Sequence, residues 1–223
     1  MKLVNSDYDI SISLKEDVIQ VLTIENQQAF RKMVGELWDE SEGREGSWIL
    51  SDKNSPVHIS KNMTVVFNPY TIDANDKKVL SKLYYELCEL ASEKYTMEVE
   101  TINSHIIGLF SQVIQDVPYF IDYGTDIDLQ ALFKIYNIKI DVEYTSLLER
   151  ITDYIRAFYN ICNIQVFAFV NLKAYLSSDE IKLLYEFVLY EKVHLMLIEG
   201  HQSVSVIPEK HLIIDKDLCI INP

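Results

Sequence analysis

The chain has 223 residues, of which 48% are hydrophobic and 24% charged, and its formal net charge at pH 7 is −14. This length fits one large globular domain, or one domain with a sizeable insertion, and it can bury a full core without disulfides. The apolar runs are far shorter than a membrane span, so no transmembrane helix is expected. The amino terminus lacks the long apolar segment of a signal peptide, which predicts a cytoplasmic protein.

Neither the cysteines nor the histidines have the spacing of a metal or disulfide site. Cys88, Cys162 and Cys219 lie far apart, and the five histidines form no HxxxH or HExxH motif. We therefore expect reduced, mostly buried thiols and no zinc. The negative charge argues against nucleic acid, because phosphate binding needs Lys and Arg. It is a weak argument, since an oligomer can gather its lysines on one surface.

The first part of the chain alternates strand patterns with turns. Residues 9–14 alternate apolar and polar side chains, which predicts a half-exposed strand in a hairpin with residues 2–4. Residues 18–24 predict a more buried strand, followed by a helix that has Asn26 as its N-cap. Further short strands are predicted at residues 47–50, 57–59 and 63–67.

The turn at residues 23–28, between the buried strand and its helix, is where a phosphate-binding loop would lie. Such a loop needs glycines, whose backbone amides close on the phosphates, and a lysine that reaches the terminal phosphate. This turn has neither, and Glu25 would repel phosphate. The sequence therefore predicts that the turn binds no nucleotide.

Residues 76–116 contain almost no Gly or Pro and carry two successive apolar stripes with helical spacing. This pattern predicts two long amphipathic helices that project as a leg from the sheet domain. The loop at residues 116–128 is rich in acidic side chains, which predicts either a capped loop or a site for a hard cation such as Ca²⁺. A helix at 129–136, a strand at 138–142 and a helix at 146–161 are predicted next.

A strand–helix–strand pattern occupies residues 166–199. The apolar run 166–170 is typical of a strand buried on both faces and ends at Asn171, and a second run, 193–198, ends at Glu199. Ser177, Ser178 and Asp179 offer N-cap side chains for the intervening helix, and the strand–helix–strand order predicts that the two strands are parallel. Asn171 stands where a metal-binding Asp would be expected, and we predict that it satisfies backbone groups instead. Short closing strands are predicted at residues 204–208, 212–214 and 218–221.

Four segments carry a resemblance to a known family: VIQVLTIENQQAFRKMV at 18–34, LFKIYNIKID at 132–141, VFAFVNLKAYLSSDEI at 166–181 and VHLMLIE at 193–199. They resemble the short form of the Csn2 family, CRISPR-associated accessory proteins of type II-A systems that act in spacer acquisition. The resemblance implies an α/β fold, a degenerate nucleotide-binding-like head with a mostly parallel sheet and an inserted helical leg. The head would comprise residues 1–75 and 155–223, and the leg residues 76–154.

The resemblance also implies a function. It implies a homotetrameric ring that holds the ends of double-stranded DNA without sequence specificity, together with other CRISPR adaptation proteins, and that is not an enzyme and needs no nucleotide. It implies bound calcium, for which Asp116, Asp122 and Asp126 are the candidate ligands. The candidate DNA contacts are Lys53, Lys61, Lys77, Lys78 and Lys82.

Three alternatives are weighed against the DNA-binding ring. A nucleotide hydrolase would use Asn171, Asp179 and Glu199, and rests on the strand order alone. A metal-dependent nuclease would use the acids of residues 116–128, which lack an obvious basic neighbour in the sequence. An acidic interaction scaffold without direct DNA binding is favoured by the net charge of −14.

Overall fold

The computed structural model describes residues 1–222, which form ten β-strands and seven α-helices. They divide into two compact units: a head unit, Met1–Ala74 with the chain from Val142 onward, and a helical unit, Asn75–Asp141. The predicted boundary at 154/155 falls inside helix α6 (Leu147–Cys162), which lies whole in the head unit. The predicted fold class, an α/β head with an inserted helical segment, is confirmed.

The head unit is built on a mostly parallel sheet in the order β10–β9–β3–β8–β7–β6. The predicted parallel pairing of β7 with β8 is confirmed, with Val166 opposite His194. Only the pair of β10 with β9 is antiparallel among the strands described in this sheet. The strands are β3 (Ile19–Ile24), β6 (Met63–Val66), β7 (Val166–Val170), β8 (His194–Glu199), β9 (Glu209–Ile214) and β10 (Ile220–Ile221).

A second, antiparallel sheet in the head unit has the order β2–β1–β4–β5. The predicted hairpin of β1 with β2 is confirmed, with Lys2 opposite Ser13. Along β2 the two isoleucines are buried and the two serines exposed, as an alternating sequence requires. The strands are β1 (Lys2–Asn5), β2 (Ile10–Ser13), β4 (Trp48–Asp52) and β5 (Ser55–Val57).

Side-chain caps set where the head helices begin. Asn26 caps α1 by accepting the amides of Gln28 and Ala29, and Ser177 forms a capping box with Glu180 at the start of α7. Asn26 is the N-cap that the sequence predicts, and Ser177 is the one of the three predicted candidates that caps α7. The head helices are α1 (Gln27–Ser41), α2 (Ile59–Asn62), α6 (Leu147–Cys162) and α7 (Ser178–Glu191).

The core of the head unit surrounds its three central strands. Every residue of β3, β7 and β8 is buried, which is typical of parallel strands covered on both faces. Phe167 and Phe169 are among the largest fully buried side chains, and Met33 and Leu37 of α1 are buried as well. This core fixes the edge of the sheet at which β3, β7 and β8 end.

The helical unit comprises α3 (Lys77–Lys94), α4 (Thr96–Gln115) and α5 (Leu129–Ile135). Its first and last segments are held together by Asn75, whose side chain accepts the amide of Ile140 at 2.8 Å and donates to its carbonyl at 3.0 Å. On α3, Val79 and Tyr84 are buried, and the Tyr84 hydroxyl donates to the carbonyl of Ile138 at 2.8 Å. Within residues 1–222, no helix has the length and apolarity to cross a membrane.

Two predicted strands are wrong, and a third overlaps β5 at a single residue. The segment 138–142 is not a strand, because the Asn75 side chain takes the backbone groups of Ile140. The segment 204–208 is not a strand either, and the Val204 carbonyl accepts from the Lys173 ammonium at 3.4 Å. The strand predicted at 57–59 shares only Val57 with β5, because helix α2 begins at Ile59.

Candidate functional site

The carboxyl ends of β3, β7 and β8 open into a cleft of about 630 Å³ within the head unit. Each strand is followed by a polar residue that lines the cleft or ends the strand: Glu25 after β3, Asn171 after β7 and Glu199 at the end of β8. Ligands of parallel α/β proteins commonly bind at this edge of the sheet. The cleft is therefore the candidate functional site of the head unit.

Asn171 is a structural residue, as the sequence predicts. Its backbone is left-handed, with φ of 54°, and its side-chain oxygen accepts the amide of Gly200 at 2.9 Å. The backbone amide of Asn171 donates to the backbone carbonyl of Ile198 at 2.8 Å. The side chain thus joins the ends of β7 and β8, and its oxygen is already engaged.

The turn between β3 and α1 is capped by its own side chain. Two of the first amides of α1, those of Gln28 and Ala29, donate to the Asn26 side chain at 3.1 Å and 3.0 Å. Glu25 accepts the Gln202 side chain at 2.9 Å, which holds a carboxylate at the cleft. A negative side chain and two occupied amides disfavour phosphate at this turn, and the absence of a nucleotide stays a prediction.

Asp179, named in the hydrolase hypothesis, lies away from this cleft. It stands in the first turn of α7 with a side chain that is 89% exposed, and it pairs with Lys182 at 2.9 Å. The hydrogen bond from Lys182 lowers the pKa of Asp179. The cleft therefore brings together Asn171 and Glu199 of the three predicted residues.

Behind the cleft lies a buried ionic network that the sequence analysis missed. The Lys173 ammonium is 2.7 Å from Glu209 Oε1, and the two side chains are 9% and 0% exposed. The Tyr185 hydroxyl donates to the same oxygen, while His211 Nε2 lies 2.9 Å from Oε2 without the geometry of a hydrogen bond. Lys173 stands between the apolar residues Leu172 and Ala174, which is the one signal in the sequence. Glu209 is followed by Lys210 and His211, and its pairing with Lys173 across 36 positions is not readable from the sequence.

Burial and partners perturb the carboxyl groups of this network in opposite directions. Burial raises the pKa of Glu199, and the amide and charge of Lys173 only partly oppose it. Burial also acts to raise the pKa of Glu209, but hydrogen bonds from Lys173 and Tyr185 outweigh it, so that this pKa is lowered. Its hydrogen bonds thus more than offset the effect of burial on Glu209. For Glu199, which faces the cleft, the effect of burial is only partly offset.

The five lysines proposed as DNA contacts are all exposed, and they belong to both units. In the head unit, Lys53 lies in the turn between β4 and β5 and Lys61 in the last turn of α2. In the helical unit, Lys77 and Lys78 are the first two residues of α3, and Lys82 follows one turn later. Their role as contacts stays a prediction.

The acids proposed as calcium ligands follow α4. Asp116 is the C-cap of the helix, the Asp122 carboxylate accepts the amide of Tyr123 at 2.9 Å, and Asp126 is exposed. Over residues 1–222, no three His, Cys, Asp or Glu side chains come together as a metal site would require. As placed, Asp116, Asp122 and Asp126 do not form a ligand set, and their role stays a prediction.

Comparison with known proteins decides the family. A model of the CRISPR-associated protein family Csn2 matches residues 40–218, which is most of the chain. The chain belongs to the Csn2 family. The resemblance drawn from the sequence is thereby confirmed, and with it the association with CRISPR systems.

Two relatives with the same description extend the match to nearly the whole chain. The CRISPR-associated protein Csn2 of Enterococcus faecalis is 24% identical over 198 residues, which cover 85% of this chain and 89% of the relative. That of Streptococcus agalactiae is 22% identical over 203 residues, covering 90% and 89%. The Csn2 similarity therefore includes both the head unit and the helical unit.

A solved structure of a different description is also similar. A putative ABC transporter ATP-binding protein from Pyrococcus furiosus covers 95% of this chain and 97% of its own, with 10% identity and a TM-score of 0.42. A similarity at this level says nothing about function, and nothing is inferred from it for this member of the Csn2 family.

Proposed function

We propose that the protein is a non-enzymatic, double-stranded DNA-end-binding ring that acts in CRISPR spacer acquisition. The observation that carries the proposal is the match of the Csn2 family over residues 40–218. Catalysis at the sheet edge is disfavoured, because Asn26 fills the helix terminus and Asn171 is engaged by Gly200. The proposed role is therefore one of binding rather than hydrolysis.

The charge order along α3 supports a phosphate-facing surface in the helical unit. Lys77 and Lys78 open the helix and Lys82 follows, whereas its acidic residues stand in the second half. This order opposes the helix dipole, which favours negative charge at the amino end and positive charge at the carboxyl end. Cations gathered at the positive end of a helix cost folding free energy and produce a local surface that attracts phosphate despite the net charge of −14.

Exposed apolar side chains on α4 support the proposed assembly into a homotetramer. Leu109 and Val113, one helical turn apart, are each 57% exposed, and Met97 is 78% exposed. An apolar face of this kind is costly in water and is typical of a surface buried between protein chains. The expected ring would place such faces between subunits.

The proposal is tested first with linear and closed circular duplexes of equal length. A ring that threads onto ends should bind the linear form and weaken steeply between roughly 50 mM and 200 mM salt. Each lysine that contacts a phosphate should reduce the slope of log K against log salt by about 1. Equal affinity for both duplexes, or binding independent of salt, would contradict threading.

A lysine-substituted pair of variants locates the contact. Replacing Lys77, Lys78 and Lys82 with glutamine should reduce the salt slope and the affinity, because these cations are exposed at the amino end of α3. Replacing Lys94, Lys134 and Lys139, three exposed lysines of the same unit, is the matched control. Each titration is run with and without Ca²⁺, and an effect of Ca²⁺ lost in Asp122→Asn would support the predicted ligands.

The mass in solution tests the ring. We expect four chains by light scattering, and a smaller species for Leu109→Glu or Val113→Glu, since a buried charge opposes association. The same charge introduced on exposed α7 by Ser178→Glu should leave the mass unchanged. A monomeric wild-type protein would contradict the ring.

An acidic interaction scaffold without direct DNA binding is the second candidate. The net charge of −14 favours it, because acidic surfaces repel the phosphate backbone. The two candidates differ in one result: the scaffold keeps its assembly but shows no shift of linear duplex at low salt, with or without Ca²⁺.

A further inference from the structure

The cleft at the carboxyl edge of the head sheet has no part in the proposed DNA contact, yet it has the features of a binding site. Its volume of about 630 Å³ lies in the range of small-molecule sites. Its floor is made by the ends of three buried strands, which hold its lining in place. The chemistry of the lining indicates what it would accept.

The lining is negative. Glu25 and Glu199 both face the cleft, and Glu199 is only 6% exposed, so its carboxylate is largely removed from water. Lys173 also lines the cleft, but its ammonium lies 2.7 Å from Glu209 and is neutralised there. An anionic ligand would meet repulsion from two carboxylates, and the His201 imidazole is the basic group that the lining offers besides Lys173.

Glu199 has an orientation suited to a cation. Its Oε1 accepts the backbone amide of Lys173 at 3.2 Å, which fixes the carboxylate at the end of β8. Burial removes this carboxylate from water, and no opposite charge fully compensates the free energy that this costs. A positive group entering the cleft would supply the missing charge. The positive group would also favour the ionised form of Glu199 over the form that burial favours.

The remaining walls favour an organic cation over a metal ion. Phe30, Tyr175 and Ile24 line the cleft, and aromatic faces attract ammonium and guanidinium groups. Ca²⁺ takes six to eight oxygen ligands, whereas the two carboxylates of this lining already accept the Lys173 amide and the Gln202 side chain. In keeping with this, no three His, Cys, Asp or Glu side chains cluster anywhere in residues 1–222.

We propose that this cleft binds an organic cation, an ammonium or guanidinium group on an aliphatic stem, with Glu25 and Glu199 meeting the charge and Phe30 and Tyr175 packing against the stem. The group belongs either to a free small amine or to a Lys or Arg side chain of a protein segment. Binding at this site does not depend on DNA.

The test is calorimetric titration of the full chain, without DNA, with three probes. Agmatine carries both cationic groups on a short aliphatic stem, an arginine-containing neutral-capped pentapeptide carries one on a peptide, and ATP is the anionic probe. We expect saturable binding of at least one cationic probe, with one site per chain, below about 20 mM. Binding of agmatine, with or without the peptide, would show that a free amine is sufficient. Binding of the peptide alone would identify a protein segment as the ligand. Either result supports the proposed site.

Matched variants assign any binding to the cleft. Glu25→Gln keeps a side-chain oxygen that can accept from Gln202 and should weaken binding of the cationic probe about 10-fold, because a charge-assisted contact becomes a neutral one. Glu199→Gln keeps the oxygen that accepts the Lys173 amide and should weaken binding of the cationic probe to a similar extent. Glu186→Gln, on the exposed surface of α7, should leave the affinity for the probe unchanged. No saturable binding by either cation, binding of ATP in their place, or an equal loss in Glu186→Gln would overturn the proposal.

Discussion

The head unit and the helical unit bury their apolar residues in opposite ways. In the head, every residue of β3, β7 and β8 is buried, so the sheet is covered by the same chain. In the helical unit, the twenty described residues of α4 include no buried side chain, and Phe120 after it is 110% exposed. The head is thus stabilised by its own core, whereas the helical unit leaves a large part of its apolar surface exposed.

The largest expected difference is in aromatic truncation. Phe167 is 0% exposed on β7, and Phe167→Ala should cost about 3 to 5 kcal/mol of the free energy of unfolding, from lost burial and a cavity. Phe110→Ala on α4, where the ring is 43% exposed, should cost less than about 1 kcal/mol in the dissociated chain. Urea denaturation at low protein concentration measures both, and equal losses would break the contrast between the units.

The buried ion pair comes next. Lys173→Met should cost about 3 kcal/mol, because it leaves the Glu209 carboxylate buried without its cation. Lys182→Met, which removes an exposed partner of Asp179, is the control and should change stability little. Comparable thermal denaturation midpoints for the two variants would show that the pair contributes nothing to the head unit.

Helix caps allow the same substitution in both units. Asn26→Ala in the head should cost about 1 to 2 kcal/mol, since Asn26 accepts two amides and also donates to the carbonyl of Lys216 at 2.9 Å. Asp76→Ala at the start of α3 should cost about 0.5 to 1 kcal/mol, since Asp76 accepts the single amide of Lys78. Chemical denaturation of each variant gives the order, and a larger loss at Asp76 would reverse it.

The smallest expected effect is a dependence on pH at Glu199. Because the folded-state pKa is raised, protonated Glu199 stabilises the fold below the unfolded pKa of about 4.3, and this contribution is lost as pH rises through the folded pKa. Glu199→Gln should therefore gain stability relative to the wild type as pH rises above about 4.3. Stability curves from pH 4 to 8, on roughly a half-unit grid, measure the difference, and a constant difference would show that Glu199 does not titrate abnormally.

The sequence correctly predicted those helices and strands whose formation depends on residues close together in the chain. The apolar run at Val166–Val170, the caps Asn26 and Ser177 and the helical spacing of α3 and α4 are each contained within a few turns of sequence. The role of Asn171 was also predicted, since a polar amide at a strand end has nearby backbone groups to satisfy. Segments 138–142 and 204–208 failed because their apolar pattern suits a strand while distant side chains, Asn75 and Lys173, take their carbonyls.

The candidate site was predicted only in its outline. The sequence placed Glu25, Asn171 and Glu199 at strand ends, and parallel pairing brings such ends to one edge. It did not identify Lys173 with Glu209, because their contact depends on the order of β7 and β9 in the sheet. Nor did it find Phe30 and Tyr175 as walls, because each reads as an ordinary aromatic on its own element.

The two hydrogen bonds between Asn75 and Ile140 have a consequence for protein engineering. They bring together the first and last segments of the helical unit, so this unit enters and leaves the head sequence through neighbouring points. An insertion whose two ends are close together can be removed as one segment. A short glycine–serine linker from Ala74 to Val142 would then replace residues 75–141 at little entropic cost. A bridged head could be produced and labelled without the helical unit, and the helical unit could be exchanged between relatives as one continuous segment.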